Sequence, residues 1–182
     1  MAGVSRLQYS TDIRLIRVMC SGRVDLEFIL RAFANEQDGV FIGGCKLDEC
    51  NYITHGNYDA WANVYLCKKI MGHIGINPER LRIAFMSGAD GNLLADAADE
   101  FSKDIIALGP LGEEEGVDVG TLKFNLEAAM TLVPYLRLVE RERLRVPEKT
   151  KKAYTAFFES SEVDRLLDEI FTEKLAISQI ML

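Results

Sequence analysis

Apolar residues recur along the first two-thirds of the chain as short runs alternating with helical stripes. Residues 13–19 are rich in Ile, Leu and Val, with Arg14 and Arg17 between them, and read as a strand ending at Cys20. Ser21 and Gly22 supply a turn. Over residues 24–34, Leu26, Ile29, Leu30 and Phe33 fall on one helical face. Asp38-Gly39 makes the next turn, and Val40-Phe41-Ile42 is a short apolar strand running into Gly43-Gly44-Cys45. A loop over residues 46–57 leads to a helix over 58–73. Ile76-Asn77-Pro78 breaks that helix, residues 81–86 form a third strand, and residues 93–106 form a third helix. Strand and helix in strict alternation predict an α/β fold, a three-layer parallel-sheet core with right-handed crossovers.

Gly109, Pro110, Gly112 and Gly116 mark a boundary, so residues 1–110 read as one unit and residues 111–182 as a helical C-terminal extension. Leu122, Leu126, Met130, Val133 and Leu136 line one face of a helix expected to kink at Pro134. Ser161 with Asp164 resembles a capping box ahead of a stripe of Val163, Leu166, Leu167, Ile170 and Phe171. These stripes need either the α/β core or a partner to cover them.

Composition narrows the function classes. A net charge of −7 disfavours nucleic acid, which is met by clustered Lys and Arg. No apolar stretch approaches the roughly 20 residues of a membrane span, and no secretory signal opens the chain. A cytoplasmic protein without membrane insertion is expected. The four cysteines are then more readily ligands or core residues than disulfides.

Three of them occupy places where open parallel sheets gather function, beyond the carboxyl ends of strands. Cys20 follows the first predicted strand, Cys45 ends the second, and Cys50 lies five residues on. Thiolates are soft, charged ligands for iron and zinc, and a Cys-x4-Cys spacing lets one loop present two of them. Cys20 stands just ahead of a predicted helix N-terminus with Arg23 in its first turn, surroundings that stabilise a thiolate. Plain burial is the competing reading for every cysteine, and for Cys67, inside the second helix, it is the preferred one. His55 could complete a site but reads better as an exposed loop residue. His73 reads as a partner for the last carbonyls of its helix. Trp61 and Tyr65 read as packing residues, and the run Glu140 to Arg145 as a solvated helix face. Gly88 and Gly91 are a weak anion-site match, and no dinucleotide fingerprint or hydrolytic triad is present.

These residues together resemble a family. Residues 16–25 (Ile-Arg-Val-Met-Cys-Ser-Gly-Arg-Val-Asp), Asp38 to Cys45, Asp48 to Tyr52, Gly56-Asn57-Tyr58 and Gly75 to Arg82 are closely similar to the methyl-viologen-reducing hydrogenase delta subunit, over about residues 3–108. The resemblance implies a flavodoxin- or Rossmann-like core carrying a 2Fe–2S cluster, with Cys20, Cys45 and Cys50 carried over as cluster ligands. It implies a relay that is not a catalyst alone. Electrons would pass between a hydrogenase or formate dehydrogenase and the flavin subunit of heterodisulfide reductase. Three departures are visible. The family's opening strand and Cys-x-x-Cys pair are missing, leaving three of the expected thiolates. Asn51 stands where His is frequent, and Ser10 where Pro is frequent. A cluster-free docking module of the same complex and a zinc-stabilised structural domain are the alternatives.

Overall fold

The computed structural model describes residues 10–52 and 55–181, with the side chains of Glu162 and of residues 175–181 left aside. Two strands, β1 (Val40–Cys45) and β2 (Leu81–Met86), pair in parallel, in register from Val40 opposite Leu81 to Cys45 opposite Met86. Among the described residues six helices accompany them: α1 (Leu26–Ala34), α2 (Asn57–Ile74), α3 (Gly91–Leu108), α4 (Val119–Arg143), α5 (Lys151–Phe158) and α6 (Ser161–Met181).

Period-two alternation sorts the strand side chains between two faces. Val40, Ile42, Leu81 and Ile83 join the apolar cluster formed with α1 and α2, and Phe85 meets Trp61 of α2. Phe41 and Arg82 turn the other way, both onto Phe101 of α3. Helices thus cover both faces of a parallel pair, the layered α/β arrangement expected from the alternating pattern.

The sheet is smaller than expected. Residues 13–19 form no strand and make no backbone ladder with any described residue. Their apolar positions explain this. The alternation slips at Leu15-Ile16 and again at Val18-Met19, so neither face of a strand would be continuously apolar. Ile16 is 87% exposed and Met19 86%. The segment upstream of residue 10 that contributed to the resemblance lies outside the described residues.

The C-terminal helices pack on the same core. Leu122, Leu126, Val133 and Leu136 of α4 and Val163, Leu167, Ile170 and Phe171 of α6 are buried in one cluster with α1 and α2. α4 runs unbroken through Pro134. Asp164 is engaged away from the capping role expected of it. It accepts a hydrogen bond from Tyr65 (2.7 Å) and pairs with Lys69 (2.6 Å). Tyr65 stacks on Phe158, and Trp61 on Tyr154, so both are packing residues as the sequence suggested. α5, capped by Thr150, fills the space between α2 and α6.

A buried polar knot closes the amino ends of both strands. Arg80, fully buried, immediately precedes β2. Its Nε and Nη2 donate to Glu115 (2.6 and 3.1 Å), and its remaining N–H groups reach the carbonyls of Asp38, Leu108, Gly109 and Pro110. Glu115 also accepts from the amides of Asn77 and Gly112, and Asp38 from that of Leu111. Burial is the largest single influence and pushes the Glu115 carboxyl up, but the Arg80 hydrogen bond, the backbone amides and the Arg80 charge together outweigh it and hold the group below its ordinary value.

Candidate functional site

The carboxyl ends of the same strands are built from loops. Lys46 N–H donates to the Met86 carbonyl (3.1 Å), carrying the ladder one residue beyond Cys45. The side chain of Asn57, buried at the start of α2, donates to the carbonyls of both Cys45 and Lys46 (2.9 Å each). The position of Cys45 is therefore fixed by strand pairing on one side and by the first residue of α2 on the other. The loop then turns, with Asp48 in the left-handed region (φ 69°) and its carboxylate accepting from Tyr58 (2.7 Å). Burial first, and then this hydrogen bond, push the Tyr58 phenol well up.

Two glycines let the cysteine loops approach. A Cβ on Gly56 would run into the Cys50 sulfur and the Tyr52 carbonyl. A Cβ on Gly22 would meet the carbonyls of His55 and Gly56. No larger residue fits either position without displacing backbone. The turn after Cys20, the loop carrying Cys50 and the start of α2 are consequently packed backbone to backbone.

Cys20, Cys45 and Cys50 are brought to this one rim, Cys45 exposed and the other two partly buried. The sulfurs act on one another. The Cys45 thiol is raised first by loss of surrounding water, then by the charges of Cys50 and Cys20 and a hydrogen bond with Cys50. Thiolates gathered this way repel, and a bound cation reverses the balance by favouring the deprotonated form. Among the described residues, no three His, Cys, Asp or Glu side chains are already placed to hold a metal ion. The donor set is soft, and the rim is open at Gly43, where an added Cβ would meet nothing within 4 Å.

The other predicted positions separate clearly. Cys67 is buried in α2, and burial pushes its thiol far up, so it is core as expected. Cys20 does not abut a helix N-terminus: it precedes a single 3-10 turn, Ser21–Arg23, and α1 begins only at Leu26, capped by Asp25. A three-residue turn has little dipole to offer. His55 is exposed and faces Asp59 (3.2 Å). His73 does not cap its own helix; it meets Asp168 of α6 (3.0 Å) and stands edge-on to Phe171. At Gly91 the loop is taken up by Asp90, whose carboxylate accepts from Ser87 N–H (2.9 Å), which disfavours an anion there. Sequence reasoning passed over Asn57 and Gly56 as positioning residues. Their signal was present in Gly56-Asn57-Tyr58, a stretch noted only for its resemblance.

A family model described as methyl-viologen-reducing hydrogenase, delta subunit, matches residues 1–109. The chain belongs to this family. Similar proteins include an F420-non-reducing hydrogenase iron-sulfur subunit from Archaeoglobus profundus, 44% identical over 60% of this chain and 80% of that one. The vhu iron-sulfur subunit of the corresponding hydrogenase from Methanococcus maripaludis is 43% identical over 60% of this chain and 81% of its own length. One component of the ferredoxin/F(420)H(2)-dependent CoB-CoM heterodisulfide reductase of Methanosarcina acetivorans is 44% identical over 63% of this chain. The chain spans only 14% of that much longer protein. The family match covers both strands, α1 to α3 and the cysteine rim, while α4 to α6 lie beyond it. Among the described residues no helix is long and apolar enough to cross a membrane.

Proposed function

We propose that this chain is an electron relay in which Cys20, Cys45 and Cys50 hold a 2Fe–2S cluster. The observation that carries the reading is the meeting of these three thiols at the carboxyl end of β1, with glycines at the loop contacts. The names of the similar hydrogenase subunits, which include the words "iron-sulfur", support it. A bound 2Fe–2S cluster supplies one-electron uptake and release. The chain's own part is to orient the thiolates through Asn57 and the Gly22–Gly56 contact. A further ligand comes from outside these three side chains. The partners proposed are a hydrogenase or formate dehydrogenase as donor and the flavin subunit of heterodisulfide reductase as acceptor, in the cytoplasm.

The test is iron and acid-labile sulfide on anaerobically purified protein, with EPR after dithionite reduction. About two irons and two sulfides per chain, with the signal of a reduced 2Fe–2S centre, is the expected result. Iron that stays absent after reconstitution sinks the relay reading. A cluster-free docking module of the same complex is the second reading, favoured by the lack of a ligand group already closed around one ion among the described residues. Zinc in place of iron would mark a structural metal domain instead.

A further inference from the structure

Among the described residues, one buried side-chain oxygen or nitrogen has no hydrogen-bond partner: the hydroxyl of Ser21. Ser21 is 6% exposed. The other buried polar side chains are matched: Asn57 to two carbonyls, Arg80 in its knot, and Ser102 to the Ser10 hydroxyl (3.1 Å). The Ser21 carbonyl is also in use, accepting from Val24 N–H (2.9 Å). A buried hydroxyl left unmatched costs about 1–3 kcal/mol, and native proteins rarely leave one so.

Its location narrows what the missing partner is. Ser21 directly follows Cys20, and its oxygen stands 3.1 Å from where a Cβ on Gly44 would lie, one residue before Cys45. The hydroxyl is therefore enclosed between the backbones that carry two of the three rim thiols. The other neighbour at this point is the ring of Phe85, which has no lone pair to offer.

We infer that Ser21 is a positioning residue for the cysteine site, its hydroxyl available to donate to a sulfur of the group that Cys20 and Cys45 would hold. This rests on the cluster reading above. Sulfur that carries negative charge accepts a hydroxyl hydrogen bond, and the bond strengthens as charge increases. It stabilises the reduced state over the oxidised one and raises the reduction potential. One electron enters, no covalent bond changes, and the proton stays on the Ser21 oxygen.

The test compares the full chain with Ser21→Ala and Ser21→Thr, each reconstituted with iron and sulfide and titrated under EPR. Ser21→Ala should keep its iron but be harder to reduce by about tenfold in equilibrium, which for one electron is about 59 mV. Ser21→Thr keeps the hydroxyl and should recover most of that loss. In ENDOR spectra, an exchangeable proton coupled to the centre should be present in the wild type and in Ser21→Thr. An unchanged potential in an iron-loaded Ser21→Ala overturns the inference. If Ser21→Ala does not retain iron, the ENDOR comparison decides, and absence of that proton in both hydroxyl-bearing proteins overturns it equally. A wild-type chain that takes up no iron defeats the relay reading at an earlier step and this inference with it.

Discussion

Arg80 and Ser21 are both buried polar residues, and they sit at opposite ends of the same two strands. At the amino ends every nitrogen of Arg80 has an acceptor, and a carboxylate neutralises its charge. At the carboxyl ends the Ser21 hydroxyl has no hydrogen-bond partner among the described residues, and burial first, then Cys50 and Cys20, raise the Cys45 thiol. The first arrangement is closed and needs nothing further. The second leaves a buried donor unmatched among the described residues. In parallel sheets the polar groups that hold the fold and those that serve it can thus be told apart by whether their valences are met.

The largest effect should come from opening the closed end. Glu115→Ala leaves a buried guanidinium without its counter-charge and should lower stability by about 3–5 kcal/mol in urea unfolding. A loss under about 1 kcal/mol would mean that the Arg80 knot is not the closed unit described. The wild type should also weaken in acid. Glu115 is held below its ordinary value of 4.5, so its contribution is whole above that pH and is lost as pH falls through the lower folded value.

Gly56→Ala strikes the open end. Its added carbon collides with the Cys50 sulfur, so iron retention after reconstitution should fall severalfold, with a stability loss of about 1–3 kcal/mol. Retention equal to wild type would show that Cys50 is not a ligand.

Glu140 stands between the two cases. It is half-buried, near pairs formed by Asp25 with Arg137 and Asp59 with Lys149. Burial first, then Asp59 and Asp25, raise its carboxyl to about 7, with Lys149 and Arg137 pulling the other way. The folded state keeps this proton between the ordinary 4.5 and about 7, so stability falls as pH rises through that window. Glu140→Gln should exceed the wild type by roughly 1–3 kcal/mol at pH 8, the gap closing towards pH 4.5. Urea midpoints that track each other at both pH values would remove Glu140 from the comparison.

Two smaller effects separate rim from core. Cys67→Ala should cost about 1 kcal/mol of packing and leave iron content unchanged. His55→Ala should alter stability by less than about 0.5 kcal/mol and leave the iron in place, because that ring faces Asp59 and solvent. Iron lost from the His55 variant would bring a fourth ligand into the rim.

Most helices and both strands were legible because their apolar spacing is regular: Leu26, Ile29, Leu30 and Phe33 in α1, and Leu122, Leu126 and Val133 in α4. Residues 13–19 misled because β-branched composition is not alternation, and a strand needs a partner as well as a propensity. Arg80 looked like one of several charged residues before β2, and nothing local distinguishes it from Arg82, which pairs with the half-exposed Asp104. Its burial depends on Glu115, 35 residues away. The cysteines were found by type and position. What holds them was not: Asn57, Gly22 and Gly56 act through contacts across loops, which no spacing rule encodes.

The crossover between the strands also sets an order of events during synthesis. β1 cannot pair until β2 has been translated, and Arg80 is not neutralised until Glu115 follows. A ribosome releases all three rim cysteines well before either condition holds. The rim therefore takes its paired form only once Met86, which anchors Lys46, has followed the cysteines out.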